Sequence, residues 1–393
     1  LLLVPTTLMG LSTPLVAKAA ARRIEESGTL IGRLYAANTF GAALGAAFTG
    51  WYLQGTFGFV ATVRIAGTLQ VLAAVAVLLR FRSGALDDPA SAVQAAPSAP
   101  ADAAPAGADV AVGRARGDVV WPWFVVYGVT GAVALGLETV FFRVIDTIMR
   151  SNSYSFGHVL SLYLVLFAAG AALGSLVLRR VSVRRPELWF LWCQFTVGAA
   201  AIAGLTLVVK GGPRSPWADS IRTYFGGEGF AVGFTAVDGS AQTEVLQAFV
   251  FAPLLIMAVP VLAMGASYPF IQTLVARHPE TLGRRTGTLL ASNVVGNVVG
   301  TLLAGFVLID RIGTAGTYRI LGATVMCAGL VAAWMSDRSL VRRLATASLV
   351  LVVLAAGLRV LPTNELTYAA FNGVELGDLA LAEDRSCATA LRR

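Results

Sequence analysis

The chain is written in long apolar blocks, not in short alternations of apolar and polar positions. Blocks long enough to span a bilayer lie at roughly 1–18, 31–54, 59–80, 119–142, 155–178, 188–209, 246–275, 287–309, 315–335 and 344–361. A bilayer core needs ~20 apolar residues in helical form, so the pattern predicts about ten membrane helices, the first clipped and the last short. A large soluble α-protein would need charged outer faces on its helices, and most of these blocks have none.

The gaps between blocks alternate in charge. Lys18, Arg22, Arg23 and Arg33 flank one, and Arg80, Arg82, Arg114 and Arg116 the next on that side. Arg179, Arg180, Arg184 and Arg185 follow, then Arg277, Arg284 and Arg285, then Arg338, Arg342 and Arg343. Lys and Arg collect in cytoplasmic loops, which puts these five gaps inside. The gaps near 55–58, 143–154, 210–245 and 309–314 are poorer in charge for their length and fall outside. Residues 83–118 are rich in Ala and Pro without a core pattern, which predicts a disordered cytoplasmic linker. The gap at 210–245 is the one candidate for an outer cap.

A stretch early in the chain, "AANTFGAALGAAFTG" at 36–50, returns as "ASNVVGNVVGTLLAG" at 291–305. Asn38, Gly41, Gly45 and Gly50 become Asn293, Gly296, Gly300 and Gly305, an offset of 255 residues. The offset holds without gaps from "VPTTLMGLSTP" at 4–14, matched by "VPVLAMGASYP" at 259–269, to Gly58 and Gly313. It continues through Thr62, Arg64, Ile65 and Gly67, matched by Thr317, Arg319, Ile320 and Gly322. Both copies run inward from the outer side, so the repeat is parallel. Three spans precede the second copy and none precedes the first, which predicts a six-span unit whose first three spans are missing from this chain. Two parallel six-span halves joined by a cytoplasmic linker is the major facilitator plan. The fold class expected is therefore an all-α polytopic membrane bundle. Residues 1–82 hold three spans of the first repeat and 119–336 six spans of the second. A short hydrophobic helix at 337–362 and a soluble start at 363–393 complete it.

Composition narrows function mainly by exclusion. The chain is 56% hydrophobic and 13% charged, with mean hydropathy +0.72, against about 25% charged residues in soluble domains. Its net charge of +8 reads as the cytoplasmic bias of a membrane protein, not as nucleic-acid binding. Cys193, Cys327 and Cys387 have no metal or disulfide spacing. The chain opens with Leu1 inside an apolar block, so its natural ends are expected elsewhere, and no signal peptide is visible. No nucleotide loop, nucleophile elbow or zinc motif is present.

Polar residues inside the blocks are the functional candidates, because ionisable groups in hydrocarbon face a cavity or a partner. Glu138 sits some five residues, or ~8 Å at 1.5 Å per residue, from the expected outer end of its helix. Its carboxylate suits an ammonium group; the alternative is an ion pair with Arg143, Arg64 or Arg319. Arg64 and Arg319 are repeat equivalents that can snorkel to the interface. His158 opens its block and is either a proton relay or a satisfied polar group. Asn38, Asn293 and Asn297 are amides needing partners in lipid. Gly41, Gly45, Gly296 and Gly300 are expected to form a duplicated helix-packing seam. The chain itself calls for no metal.

Four stretches, "MGLSTPLVAKAA", "GRLYAANTFGAALGAAFTGWYL", "ALGLETVFFRVID…SNSYSFGHVLSLYLVLFAAGAALGS" and "MGASYPFIQTLV", resemble the membrane part of bacterial fused major-facilitator/spermidine-synthase-like proteins. The resemblance covers nearly all of 1–362. It implies a bacterial inner-membrane location and a soluble aminopropyltransferase-like domain using decarboxylated S-adenosylmethionine. "LAEDRSCATALRR" at 381–393 looks like that domain's opening strand, so no catalytic residue or cofactor site lies in this chain. The expected partners are the lipid bilayer and a polyamine or other small cationic solute. Three readings follow: the membrane module of such a fusion, a secondary transporter of the major facilitator type, and a non-transporting scaffold. A spanning helix at 344–361 would put Cys387 outside. In the chain carrying Cys193→Ser and Cys327→Ser, an impermeant maleimide added to intact cells should label Cys387. Labelling confined to inverted vesicles would remove that span.

Overall fold

The computed structural model describes residues 27–82, 120–149, 155–211, 250–275, 282–336, 339–372, 375–385 and 387–392. The expected span at 1–18, the linker at 83–118 and nearly all of the loop at 210–245 lie outside these residues. The described chain is helical almost throughout. In hydrocarbon every backbone N–H and C=O must be satisfied within the segment, which an apolar helix does and an isolated strand cannot.

The helices are α1 (Ser27–Phe48), α2 (Gln54–Arg82), α3 (Trp121–Ile148), α4 (Ser155–Arg180) and α5 (Pro186–Thr206). They continue as α6 (Ala252–Val275), α7 (Leu282–Leu302), α8 (Ile309–Met335), α9 (Leu340–Val360) and α10 (Asn364–Asn372). Strands β1 (Leu379–Glu383) and β2 (Ala388–Arg392) form an antiparallel hairpin, Leu379 opposite Arg392 and Glu383 opposite Ala388. The stretch expected as one opening strand is therefore two, turned where the Cys387 amide donates to Asp384 Oδ1 at 2.9 Å.

Seven helical segments among the described residues are long and apolar enough to cross a membrane. Two of them, Gly32–Leu79 and Gly283–Met335, run for 48 and 53 residues, and each contains two of the expected blocks. The loops expected at 55–58 and 309–314 are reduced there to one non-helical glycine, Gly58 (φ 74°, ψ 174°) and Gly313 (φ 70°, ψ 179°). Such a φ favours glycine because it has no Cβ to clash.

The 255-residue offset is visible in local conformation. A π-helical turn occupies Thr49–Leu53 and another Leu303–Leu308. Gly58 and Gly313 share one backbone geometry. The Thr62 hydroxyl donates to the Gly58 carbonyl at 2.8 Å, and the Thr317 hydroxyl to that of Gly313 at 2.8 Å.

The described chain forms two compact units. One is Phe48–Pro122; within it Phe48 stacks on Tyr52, and α2 exposes Phe59, Val71 and Leu78, as suits lipid. The other unit runs to Ala47 and resumes at Trp123. In it α6 packs on α4 and α5, and α8 packs on α5 and α9. Glycines bring the backbones together: a Cβ at Gly170 or Gly174 of α4 would strike the carbonyls of Leu262 or Ala266 on α6. In lipid, close packing of this kind replaces the hydrophobic drive between helices.

Among the described residues, close helix packing is seen at the second of the two expected glycine stripes. A Cβ at Gly296 or Gly300 would strike the carbonyl of Gly128 or Ala132, so α7 lies directly on α3. Among the described residues, a Cβ at Gly41 or Gly45 would meet nothing within 4 Å, and both glycines are exposed. α1 buries a different face, Gly32, Ala36, Thr39 and Ala43, because Gly32 seats against Ser175 and Pro269. The same small-residue stripe is a seam only where a partner helix meets it. Gly296→Leu and Gly300→Leu should each lower stability by about 1–3 kcal/mol or more, read as a drop in melting temperature in detergent. Gly41→Leu should stay within about 0.5 kcal/mol of the parent.

Candidate functional site

A cavity of about 310 Å³ opens between α1, α3, α4, α5, α6 and α7. That volume sits at the low end of the ~300–1,000 Å³ usual for small-molecule sites. Four of the sequence candidates line it: Glu138, Asn38, Asn293 and Asn297. They come from three helices and up to 259 residues of chain separate them, so only the packing of the bundle brings them together.

α3 supplies the charge. It continues to Ile148, past the expected end of its block, so Glu138 lies ten residues from the helix end, ~15 Å at 1.5 Å per residue. Glu138 thus lies further from its helix end than its block suggested. It is half-buried and makes no ion pair among the described residues. It is the one charged residue lining the cavity among those described.

α7 supplies an amide wall, held by the glycine seam. The Ser292 hydroxyl donates to the Phe124 carbonyl at 2.5 Å, and the Asn293 amide nitrogen to the Tyr127 carbonyl at 3.2 Å. The Asn297 amide is oriented by its partners: its nitrogen donates to the carbonyls of Gly131 at 2.9 Å and Asn293 at 3.2 Å, an orientation set by the hydrogen-bond network. A Cβ at Gly131 would collide with both asparagines. In that orientation both amide nitrogens are committed to carbonyls, which leaves the amide oxygens as acceptors.

Aromatic rings form another part of the wall. Tyr35, Tyr127, Tyr163 and Phe167 line the cavity. Tyr35 packs on Tyr268 with centroids 4.2 Å apart and on Phe167 at 5.8 Å. The Tyr163 hydroxyl bonds the Met264 sulfur at 3.7 Å. The hydropathy pattern drew attention to none of these tyrosines, nor to Gln194, which lines the cavity at 4% exposure. A signal existed for Gln194: it is the one amide in its apolar block, and buried amides are kept where they have partners.

The remaining candidates lie elsewhere. His158 is half-buried near the start of α4 and Arg64 is exposed on α2. The sequence treated Arg319 and Arg64 as equivalent, yet their surroundings differ. Arg319 donates to the carbonyls of Leu361 at 3.0 Å and Pro362 at 3.2 Å, capping the end of α9. Arg143 pairs with Glu383 of β1 at 3.3 Å and donates to the Asp384 carbonyl at 2.6 Å. The expected alternative for Glu138, a pair with Arg143, is thus taken by another acid.

Glu383 is the centre of that second cluster. Its carboxylate accepts from the Thr314 amide at 3.2 Å and from the Thr314 hydroxyl. It also accepts from the Tyr368 hydroxyl at 3.0 Å. Burial raises the Tyr368 phenol, which keeps it a protonated donor. Asn364 Oδ1 accepts from the Ala315 amide at 2.6 Å. The helix that restarts after Gly313 has orphan N–H groups and a positive end; an acid and an amide from the C-terminal segment satisfy both. No side chain is tolerated at 313, where a Cβ would meet Asn364 and Glu383.

Among the described residues no group of acids, histidines and cysteines could hold a metal ion. No known family model, no curated protein and no solved structure matches the chain.

Glu383→Gln should cost about 1–3 kcal/mol, since it leaves Arg143 unpaired and weakens the cap on Thr314. The check is a double-mutant cycle of Glu383→Gln with Arg143→Met, followed by thermal unfolding in detergent. Independent, additive losses would show that the pair is not coupled.

Proposed function

We propose that this chain is a membrane-embedded module of the major facilitator type that binds a small cationic amine in the cavity at Glu138. The carrying observation is one carboxylate, without an ion-pair partner among the described residues, in a polar pocket roughly mid-bundle. An ionisable group at such depth is costly and marks a pathway or a site. The favoured setting is the bacterial inner membrane. There the module anchors a spermidine-synthase-like soluble domain and handles polyamine-like solutes for it. Decarboxylated S-adenosylmethionine belongs to that proposed domain, and no site for it is proposed in this chain.

Ten spans are the natural count for this reading, with the breaks at Gly58 and Gly313 as outer turns and one further span at 1–18. The matched π-turns and glycines at a fixed offset support two related halves. The C-terminal contacts also bear on topology. α9 carries the chain from Arg342 and Arg343 back to the Gly313 end, where Arg319 and Thr314 receive it. In this reading the positive-inside rule makes that end outer and the hairpin external.

That placement favours a second reading, a secondary transporter in which the C-terminal segment braces the bundle. Both readings need Glu138. Uptake of a panel of small amines into inverted vesicles, driven by a proton gradient, should be abolished by Glu138→Gln. Unchanged uptake would remove Glu138 from the pathway. Absence of uptake for every amine in the parent chain would favour a scaffold.

A further inference from the structure

We infer that the cavity ligand carries a single positive charge, as a primary ammonium, and ends in a neutral N–H or O–H donor. Mono-N-acylated diamines and amino alcohols have this form. The inference rests on the reading of the cavity as an amine site, and it replaces the multiply charged polyamine of that reading with a singly charged relative.

Charge balance comes first. Glu138 is the one charged residue among the described lining residues. A buried ammonium is tolerated when an opposite charge meets it, and a second one without a partner keeps its desolvation cost. One carboxylate therefore balances one ammonium. The rings point the same way. Tyr35, Tyr127 and Tyr163 share the cavity with Glu138, and aromatic faces within ~6 Å attract an alkylammonium. Tyr35 is braced against Tyr268 and Phe167, and Tyr163 packs on Phe167 with centroids 6.2 Å apart. The rings are thus held in place before a ligand arrives.

The far end is set by the amide wall. The nitrogens of Asn293 and Asn297 are held by the carbonyls of Tyr127, Gly131 and Asn293 itself. What remains are amide oxygens, which accept. A neutral amide N–H or a hydroxyl satisfies them. An ammonium there would find acceptors but no countercharge, and an alkyl end would leave them unsatisfied, which is itself costly. The wall and the carboxylate together discriminate against a diamine and against a plain alkylamine.

The test is calorimetric titration of the purified full chain in detergent with three probes that share one four-carbon chain. These are mono-N-acetyl-1,4-diaminobutane, 1,4-diaminobutane and the neutral N-butylacetamide. The monoacetylated amine should bind at least about tenfold more tightly than either of the others, the scale on which a hydrogen-bonding site rejects a mismatched analogue. Glu138→Gln should erase its advantage over the neutral probe. Equal or tighter binding of the diamine would overturn the single-charge inference and leave the amine site standing. Binding of the neutral probe as tightly as the monoacetylated amine, or binding of none of the three, would overturn both. The three probes are compared on the parent chain, so the outcome does not depend on the folding of a variant.

Discussion

The contact between α3 and α7 at bare backbone distance is the constraint on which the cavity depends. Gly296 and Gly300 lie over the carbonyls of Gly128 and Ala132, where no Cβ fits. Only at that separation can the short side chains of Ser292, Asn293 and Asn297 reach carbonyls of α3. The glycine seam thus has a chemical consequence as well as a packing one. It turns the asparagine nitrogens toward the helix backbone and leaves their oxygens as the acceptor wall. The same helix, α3, carries Glu138 on the cavity side and Arg143 further along.

Arg143 links the bundle to the C-terminal hairpin. The helix break at Gly313 exposes the positive end of a second helical stretch, and Glu383 and Asn364 satisfy it from sequence-distant elements. Acid, guanidinium, phenol and helix end meet in one cluster. Loss of one leaves the others unpaired in a low-dielectric setting, which is why such clusters are held together. α10 and the hairpin are therefore joined to the membrane bundle through specific bonds, and do not merely trail from it.

Much of this was legible in the sequence. Helix positions follow from apolar block lengths, and the bounds of α4, α5 and α9 lie within about four residues of those expected. Gly58 and Gly313, matched in sequence at a 255-residue offset, share a positive φ. Glu138, Asn38, Asn293 and Asn297 were singled out as polar residues in apolar blocks, and they meet in one cavity. The tyrosines were not legible. A tyrosine in an apolar block is compatible with core, interface or site, and hydropathy does not separate these. The face that α1 buries was also illegible, because Asn38, Gly41 and Gly45 make as good a stripe as Gly32, Ala36, Thr39 and Ala43.

The sequence by itself determined that the chain forms membrane-capable helices, where they break, and which polar residues sit within them. These properties are local: apolar length sets a span, and a missing Cβ permits a positive φ. Only the tertiary structure decided that, among the described residues, the second glycine stripe meets a partner helix, and that Arg143 serves Glu383. It also decided that equivalent arginines at 64 and 319 have different surroundings. Those outcomes depend on which neighbour arrives, and a helix with two small-residue faces carries no local preference between them.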